Sequence, residues 1–138
     1  MRYDITVLTL IDHGSAPHVR DEITFYNVGE SVREFVAGSC KATLLKLMRL
    51  PEDKSPSAWN LKYRTVVRKA GTPEVVTDTK LITFPGMDGA GIRLFQDWAI
   101  DQLRETADAV NADIASGPVA TERSSLLSKL FRMWWTRK

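Results

Sequence analysis

The feature that most constrains the fold of this chain is the strict alternation of side chains across residues 59–69. Five apolar or β-branched residues share one side of an extended strand: Trp59, Leu61, Tyr63, Thr65 and Val67. The other side is mostly polar or basic: Asn60, Lys62, Arg64, Val66 and Arg68. Because successive side chains of a strand point to opposite faces, this pattern predicts a sheet with one buried and one wet face.

The segments around this strand predict further strands. Residues 70–73 read Ala-Gly-Thr-Pro, which predicts a turn, so residues 74–84 should return as the second strand of a hairpin. Residues 3–11 are rich in β-branched side chains and residues 22–28 alternate, which predicts two more strands. Strands joined by short turns indicate a mostly antiparallel sheet.

A helix is predicted between the second strand and the hairpin. Ser31 and Glu34 have the spacing of a capping box, which marks the start of the helix. Pro51 prevents its continuation. Gly38 and Ser39 weaken its middle and predict a bend or break.

The longest helix is predicted at about residues 92–112. Its apolar stripe consists of Phe95, Trp98, Ala99, Leu103, Ala107 and Val110. On its polar side Arg104 is predicted to pair with Asp108, four residues on. A break is predicted after it at Ser116-Gly117-Pro118.

The order of these elements predicts an α+β fold, a ββαββα core with helices on one face of the sheet and a C-terminal amphipathic helix. The core is expected at residues 1–115, and the linker and C-terminal helix at residues 116–138. Cys40 is the single cysteine and the opening residues do not have the pattern of a signal peptide, so a cytoplasmic location, in a cell or a viral host, is expected.

The C-terminal helix carries the strongest sequence signal for function. Its predicted apolar side includes Leu127, Leu130, Phe131, Trp134 and Trp135, and Lys129 and Arg132 lie on the other side. Residues 121–138 hold five basic residues and one acidic residue, so this segment is basic while the rest is slightly acidic. Such a helix can pack on its own sheet, enter a partner's groove or lie on a membrane surface.

The predicted hairpin supplies a second candidate surface. Its basic residues are Lys62, Arg64, Arg68, Lys69 and Lys80. This basic face could meet nucleic acid or an acidic protein, although an antiparallel sheet with one solvated face carries such charges in any case. Trp59 and Tyr63 lie on the opposite side of the strand, whereas stacking platforms for nucleic acid place aromatic residues among the basic ones.

An enzymatic function would have to use the loop with His13 and His18 and the glycine-rich turn of residues 86–91. Two histidines and one cysteine are few ligands for a metal site, so no metal or cofactor is expected. The turn has neither the dinucleotide fingerprint nor the P-loop pattern. Cys40 falls on an apolar helix face, which predicts packing rather than nucleophilic catalysis.

The sequence therefore favours a non-enzymatic protein-binding domain, such as an assembly factor, an inhibitor or a self-associating subunit, of a size common among phage and mobile-element proteins. Its predicted contacts are the C-terminal helix and the basic hairpin face, with a protein partner or a second copy. A nucleic-acid-binding module and a small enzyme are the alternatives.

Overall fold

The computed structural model describes residues 1–14, 17–29, 31–51 and 54–121, with the backbone alone for Pro17 and residues 117–121. In this part of the chain an antiparallel five-stranded sheet packs with two helices, which confirms the α+β class. No helix in it is both long enough and apolar enough to cross a membrane. The C-terminal helix predicted within residues 122–138 lies outside the described residues.

The sheet is built around β1 (Tyr3–Asp12) and β3 (Asn60–Lys69), which pair along their whole length. β2 (Pro17–Val28) pairs with the other side of β1 and forms one edge of the sheet. It begins several residues before the predicted start at residue 22, because its first half continues the hairpin with β1.

The returning strand of the second hairpin is interrupted, whereas the sequence predicts one strand over residues 74–84. The structure has β4 (Val75–Asp78) and β5 (Ile82–Pro85), and both pair with β3. Between them Lys80 has a φ of 64°, a left-handed conformation that departs from the extended backbone of a strand. The opposite edge of the sheet is therefore short and broken.

The helix α1 (Val32–Leu47) runs unbroken through Gly38 and Ser39, so the chain does not break there. The predicted capping box is wrong. Ser31 has φ −84° and ψ 30° instead of the extended conformation of a capping residue, and its side chain makes no capping bond. Its backbone carbonyl instead accepts hydrogen bonds from the N–H groups of Glu34 and Phe35.

The helix α2 (Gly89–Thr121) is longer at both ends than predicted. It continues through Ser116-Gly117-Pro118, so the break predicted there is wrong: an internal proline removes one backbone donor and favours a kink, but need not end a long helix. Its polar side carries an ion pair of Arg104 with Asp101 at 3.4 Å, not with Asp108 as predicted.

Both helices pack on the sheet face predicted to be buried. Thr9 and Thr43 join β1 to α1 through a buried hydrogen bond of 3.3 Å between their hydroxyls. The Tyr3 hydroxyl donates a hydrogen bond of 2.9 Å to the Asp113 carboxylate of α2. The predicted inward side of β3 is buried at every position from Trp59 to Val67. In α2 Phe95, Ala99 and Val110 are buried, as their stripe predicts.

Candidate functional site

The two edges of the sheet differ in how they are protected. An edge strand presents unpaired backbone N–H and C=O groups, which invite another strand unless charges, irregularities or short length prevent it. The edge made by β4 and β5 is interrupted at Lys80. β2, in contrast, extends over twelve residues, and its irregularities lie near its ends: a register shift at Pro17 and a bulge between Phe25 and Val28, where Asn27 has a φ of 59°. Within the part of the chain that the structure describes, β2 is therefore the continuous edge available for strand addition.

Beside β2 the helix side of the sheet is left partly open. A cavity of about 420 Å³ lies between β2 and α1, and we call it the edge groove. Its apolar walls come from Val7, Ile23, Phe25, Phe35 and Ala42. α1 lies over β1 and against α2, so it leaves the outer strand partly uncovered.

Small residues on α1 keep the edge groove open. Gly38, Ser39 and Ala42 line it where longer side chains would fill it. A Cβ atom built on Gly38 would meet no atom within 4 Å, which shows directly that there is space in front of this position.

Large apolar side chains border this space without being fully covered. Ile23 on β2 is 46% exposed and Phe35 on α1 is 38% exposed. Phe35 contacts Phe25 with their rings tilted at 58°, and the ring centroids are 5.2 Å apart. An edge strand beside an apolar groove can receive an extended segment: backbone hydrogen bonds supply affinity and the groove takes alternate side chains.

The polar rim of the edge groove carries charges of both signs. Lys46 of α1 and Asp21 of β2 form an ion pair of 2.8 Å. Glu34 at the other end of α1 is exposed and makes no ion pair with any described residue. Since Lys46 is beside Asp21 and Phe35 is beside Phe25, α1 runs antiparallel to β2.

The predicted basic hairpin face is largely neutralised by acidic neighbours. Arg64 makes two hydrogen bonds to the Asp78 carboxylate, at 3.0 and 2.6 Å. Lys80 lies 3.4 Å from the same carboxylate, and Lys62 lies 3.9 Å from Asp12. The Arg64 guanidinium is the largest cause that holds the pKa of Asp78 well below its usual range.

The other two predicted members of the basic face behave differently. Lys69 projects to the helix side of the sheet, where it pairs with Glu74 at 3.2 Å and Asp113 of α2 at 3.3 Å. Arg68 is on the open side with Arg64 and makes no ion pair with any described residue. The five basic residues therefore do not form one continuous cationic surface.

The predicted histidine loop packs around a tryptophan. His13 and His18 make edge contacts with the Trp59 ring, at centroid distances of 4.7 and 5.1 Å. The Trp59 Nε1 atom is buried and has no hydrogen-bond partner among the residues that the structure describes. Among the described residues no three His, Cys, Asp or Glu side chains form a group suited to hold a metal ion.

The glycine-rich turn leads into the first turn of α2 and makes close contacts with it. The Asp88 carboxylate accepts a hydrogen bond of 2.9 Å from the Gly91 N–H, so the chain's own carboxylate occupies one helix-terminal donor. A Cβ atom on Gly91 would lie 1.6 Å from the Gly86 carbonyl oxygen, so close backbone packing requires glycine at position 91. The glycines thus have a structural role in this turn.

Cys40 is buried, as its predicted place on the apolar face of α1 requires. Its Sγ atom lies 3.5 Å from the Tyr63 hydroxyl. Burial raises the pKa of the Cys40 thiol, which disfavours the thiolate that a nucleophile needs.

The edge groove is not predicted by the sequence patterns described above. The short spacing of Gly38, Ser39 and Ala42 behind Phe35 is the signal that could have indicated it, but the prediction used Gly38 and Ser39 only as a weak point of the helix. Ile23 and Phe25 alternate as in any half-buried strand, and nothing in that pattern tells how far a helix covers it. The predicted contact residues Leu127, Lys129, Leu130, Phe131, Arg132, Trp134 and Trp135 lie outside the described residues.

In comparisons with protein-family models, with curated proteins and with solved structures, the chain shows no match.

Proposed function

We propose that this chain is a protein-binding domain that receives an extended segment of its partner along β2. The observation that carries the proposal is a long edge strand, unpaired on its outer side among the described residues, with an adjacent apolar groove. Each feature alone is common at protein surfaces, but together they supply the two components of strand addition: backbone hydrogen bonds and pockets for alternate side chains.

The exposed apolar side chains support this proposal. Ile23 and Phe35 border the groove, and binding of a segment there would remove both from water. Burial of apolar surface contributes roughly 25 cal/mol per Å², so an apolar side chain placed between them adds directly to affinity.

The C-terminal helix remains a second proposed contact, based on its amphipathic sequence alone. A role for the basic hairpin face in binding nucleic acid has less support, because the ion pairs of Arg64, Lys62 and Lys80 place carboxylates among the cations. A polyanion would have to displace or tolerate these carboxylates.

Selection from a displayed library of short peptides tests the proposal. The full chain should select segments with alternating apolar residues, and hydrogen exchange of the β2 amides should slow when such a peptide binds. Gly38→Leu should abolish binding, because a leucine side chain enters the open space without backbone strain.

Two matched variants control for effects on folding. Gly38→Ala changes the same helix position but leaves most of the groove open, and Leu94→Lys changes an exposed apolar residue of α2 that is 62% exposed. Both should keep binding. Peptides that bind Gly38→Leu as well as wild type would exclude the edge groove as the site.

A further inference from the structure

We infer that the segment received along β2 is β2 of a second copy of this chain, in a two-fold symmetric dimer centred on Ile23. This inference rests on the proposed function and names its partner. The two β2 strands would pair antiparallel, so the two sheets would join into one continuous sheet with all four helices on the same face.

Symmetry restricts how two copies of β2 can pair. In an antiparallel pair, residues directly opposite each other share a face of the sheet, so the axis passes at one residue of the strand. Centred on Ile23, the pairing places Ile23 against its counterpart and Asp21 against the partner's Phe25. The residue on the axis is then apolar and 46% exposed in the single chain.

The two registers on the N-terminal side of Ile23 bring like charges together. Centred on Glu22, the pairing would place two exposed carboxylates opposite each other. Centred on Asp21, it would do the same with two aspartates. Since Lys46 lies 2.8 Å from Asp21, it would also place the two Lys46 side chains on either side of the axis. Like charges directly opposite are destabilising, which disfavours both of these centres relative to Ile23.

The charges of α1 are complementary in the Ile23 register. Because α1 runs antiparallel to β2, its Phe35 end lies over Phe25 and its Lys46 end lies over Asp21. The axis therefore brings Glu34 of each copy towards Lys46 of the other copy, so the dimer contains this contact twice. Glu34 has no ion-pair partner among the described residues of its own chain, so this pairing gives it one.

The small residues of α1 fit the same arrangement. Gly38 and Ala42 lie between Phe35 and Lys46 on the groove side of the helix, near the predicted axis. Gly38 of one copy would face Ala42 of the other across the dimer axis. No bulky side chain at these positions would keep the two α1 helices apart. The edge groove of each copy would then be closed by the β2 side chains of its partner.

Sedimentation equilibrium of the full chain over micromolar concentrations tests this inference. Wild type should be a dimer, and Ile23→Lys should be a folded monomer by circular dichroism, since this side chain is half exposed in the single chain. Leu94→Lys should remain a dimer. A dimer that Ile23→Lys leaves intact would overturn the inference, because the contact would then lie elsewhere.

Glu34→Lys tests the register. It should raise the dimer dissociation constant about tenfold at low salt, because the two-fold axis produces two contacts between position 34 and Lys46 and the substitution makes both repulsive. The effect should be much smaller at high salt, which screens these charges. No change in dimer affinity at low salt would exclude the Ile23 register.

The outcome also separates this inference from the proposed function. A wild-type monomer at every concentration overturns the second copy as partner, while peptides that slow exchange in β2 would still support strand addition. If the chain is a monomer and no peptide protects β2, both proposals fail.

Discussion

Asp78 is the residue on which most charges of the second hairpin converge. Its carboxylate contacts Arg64 and Lys80, and its Oδ1 atom also accepts the backbone N–H of Lys80 at 2.8 Å. The side chain is only 10% exposed, so these contacts replace most of its hydration. Asp78 fixes the chain at the point where β4 ends.

Asp78→Asn should lower the free energy of unfolding by about 1.5–3 kcal/mol at neutral pH, since hydrogen bonds to charged groups contribute that much. The pKa of Asp78 is lowered in the folded chain, chiefly by Arg64. Its ionised form therefore stabilises the fold above the unfolded pKa near 4, and this contribution disappears as pH falls through the lower folded value.

Urea denaturation of wild type and of Asp78→Asn at several pH values measures the difference between their free energies of unfolding. The two free energies of unfolding should differ at pH 7 and converge as pH falls below about 4. A difference that stays constant with pH would show that the carboxylate charge is not responsible. Thr83→Asn, at an exposed position of β5, serves as the control and should have little effect at any pH.

At the scale of elements, glycine has opposite roles at two helical positions. Gly38 of α1 faces open space, whereas Gly91 in the first turn of α2 touches the backbone of residue 86. Glycine in a helix interior costs about 0.5–1 kcal/mol relative to alanine unless a close contact requires it.

Gly38→Ala should therefore raise the free energy of unfolding by about 0.5–1 kcal/mol, and Gly91→Ala should lower it. The first substitution gains helix propensity without a clash, and the second forces α2 away from the Gly86 carbonyl oxygen. Thermal unfolding followed by circular dichroism measures both effects. Equal destabilisation by the two would contradict the openness of the groove.

The elements that the sequence predicts best are those in which apolar residues recur at one regular spacing. The alternation of β3 and the stripe of α2 identify buried positions correctly, since each depends on a pattern within one segment. The interruption between β4 and β5 is not predictable in this way, because lysine rarely adopts the positive φ seen at Lys80. The unused capping box at Ser31 likewise depends on a backbone conformation and not on residue type.

At the scale of the whole molecule, the edge groove exists because two helices cover a sheet four strand positions wide. α2 packs over the hairpin and α1 lies over β1, which leaves β2 partly uncovered. This arrangement depends on which strands the helices cross, and no single segment of the sequence encodes it. The fold class was therefore predictable from the sequence, and the proposed binding surface was not.

Removal of residues 121–138 should leave the core folded. The apolar core and the side chains packed on it extend no further than Ile114 among the described residues, so the sheet and both helices keep their burial. The truncated chain should keep its cooperative thermal transition, with a midpoint within a few degrees of wild type. Global unfolding on truncation would show that the C-terminal segment belongs to the core.

The position of β1 in the sheet has a consequence for how the chain reaches its fold. β1 is central, but its two neighbours come from very different distances along the chain: β2 follows it directly, and β3 begins at residue 60. During synthesis the β1–β2 hairpin can form early, while the second side of β1 stays unpaired until β3 has left the ribosome. Contacts between distant segments slow folding, so this interval is the period in which β1 is exposed to wrong pairing.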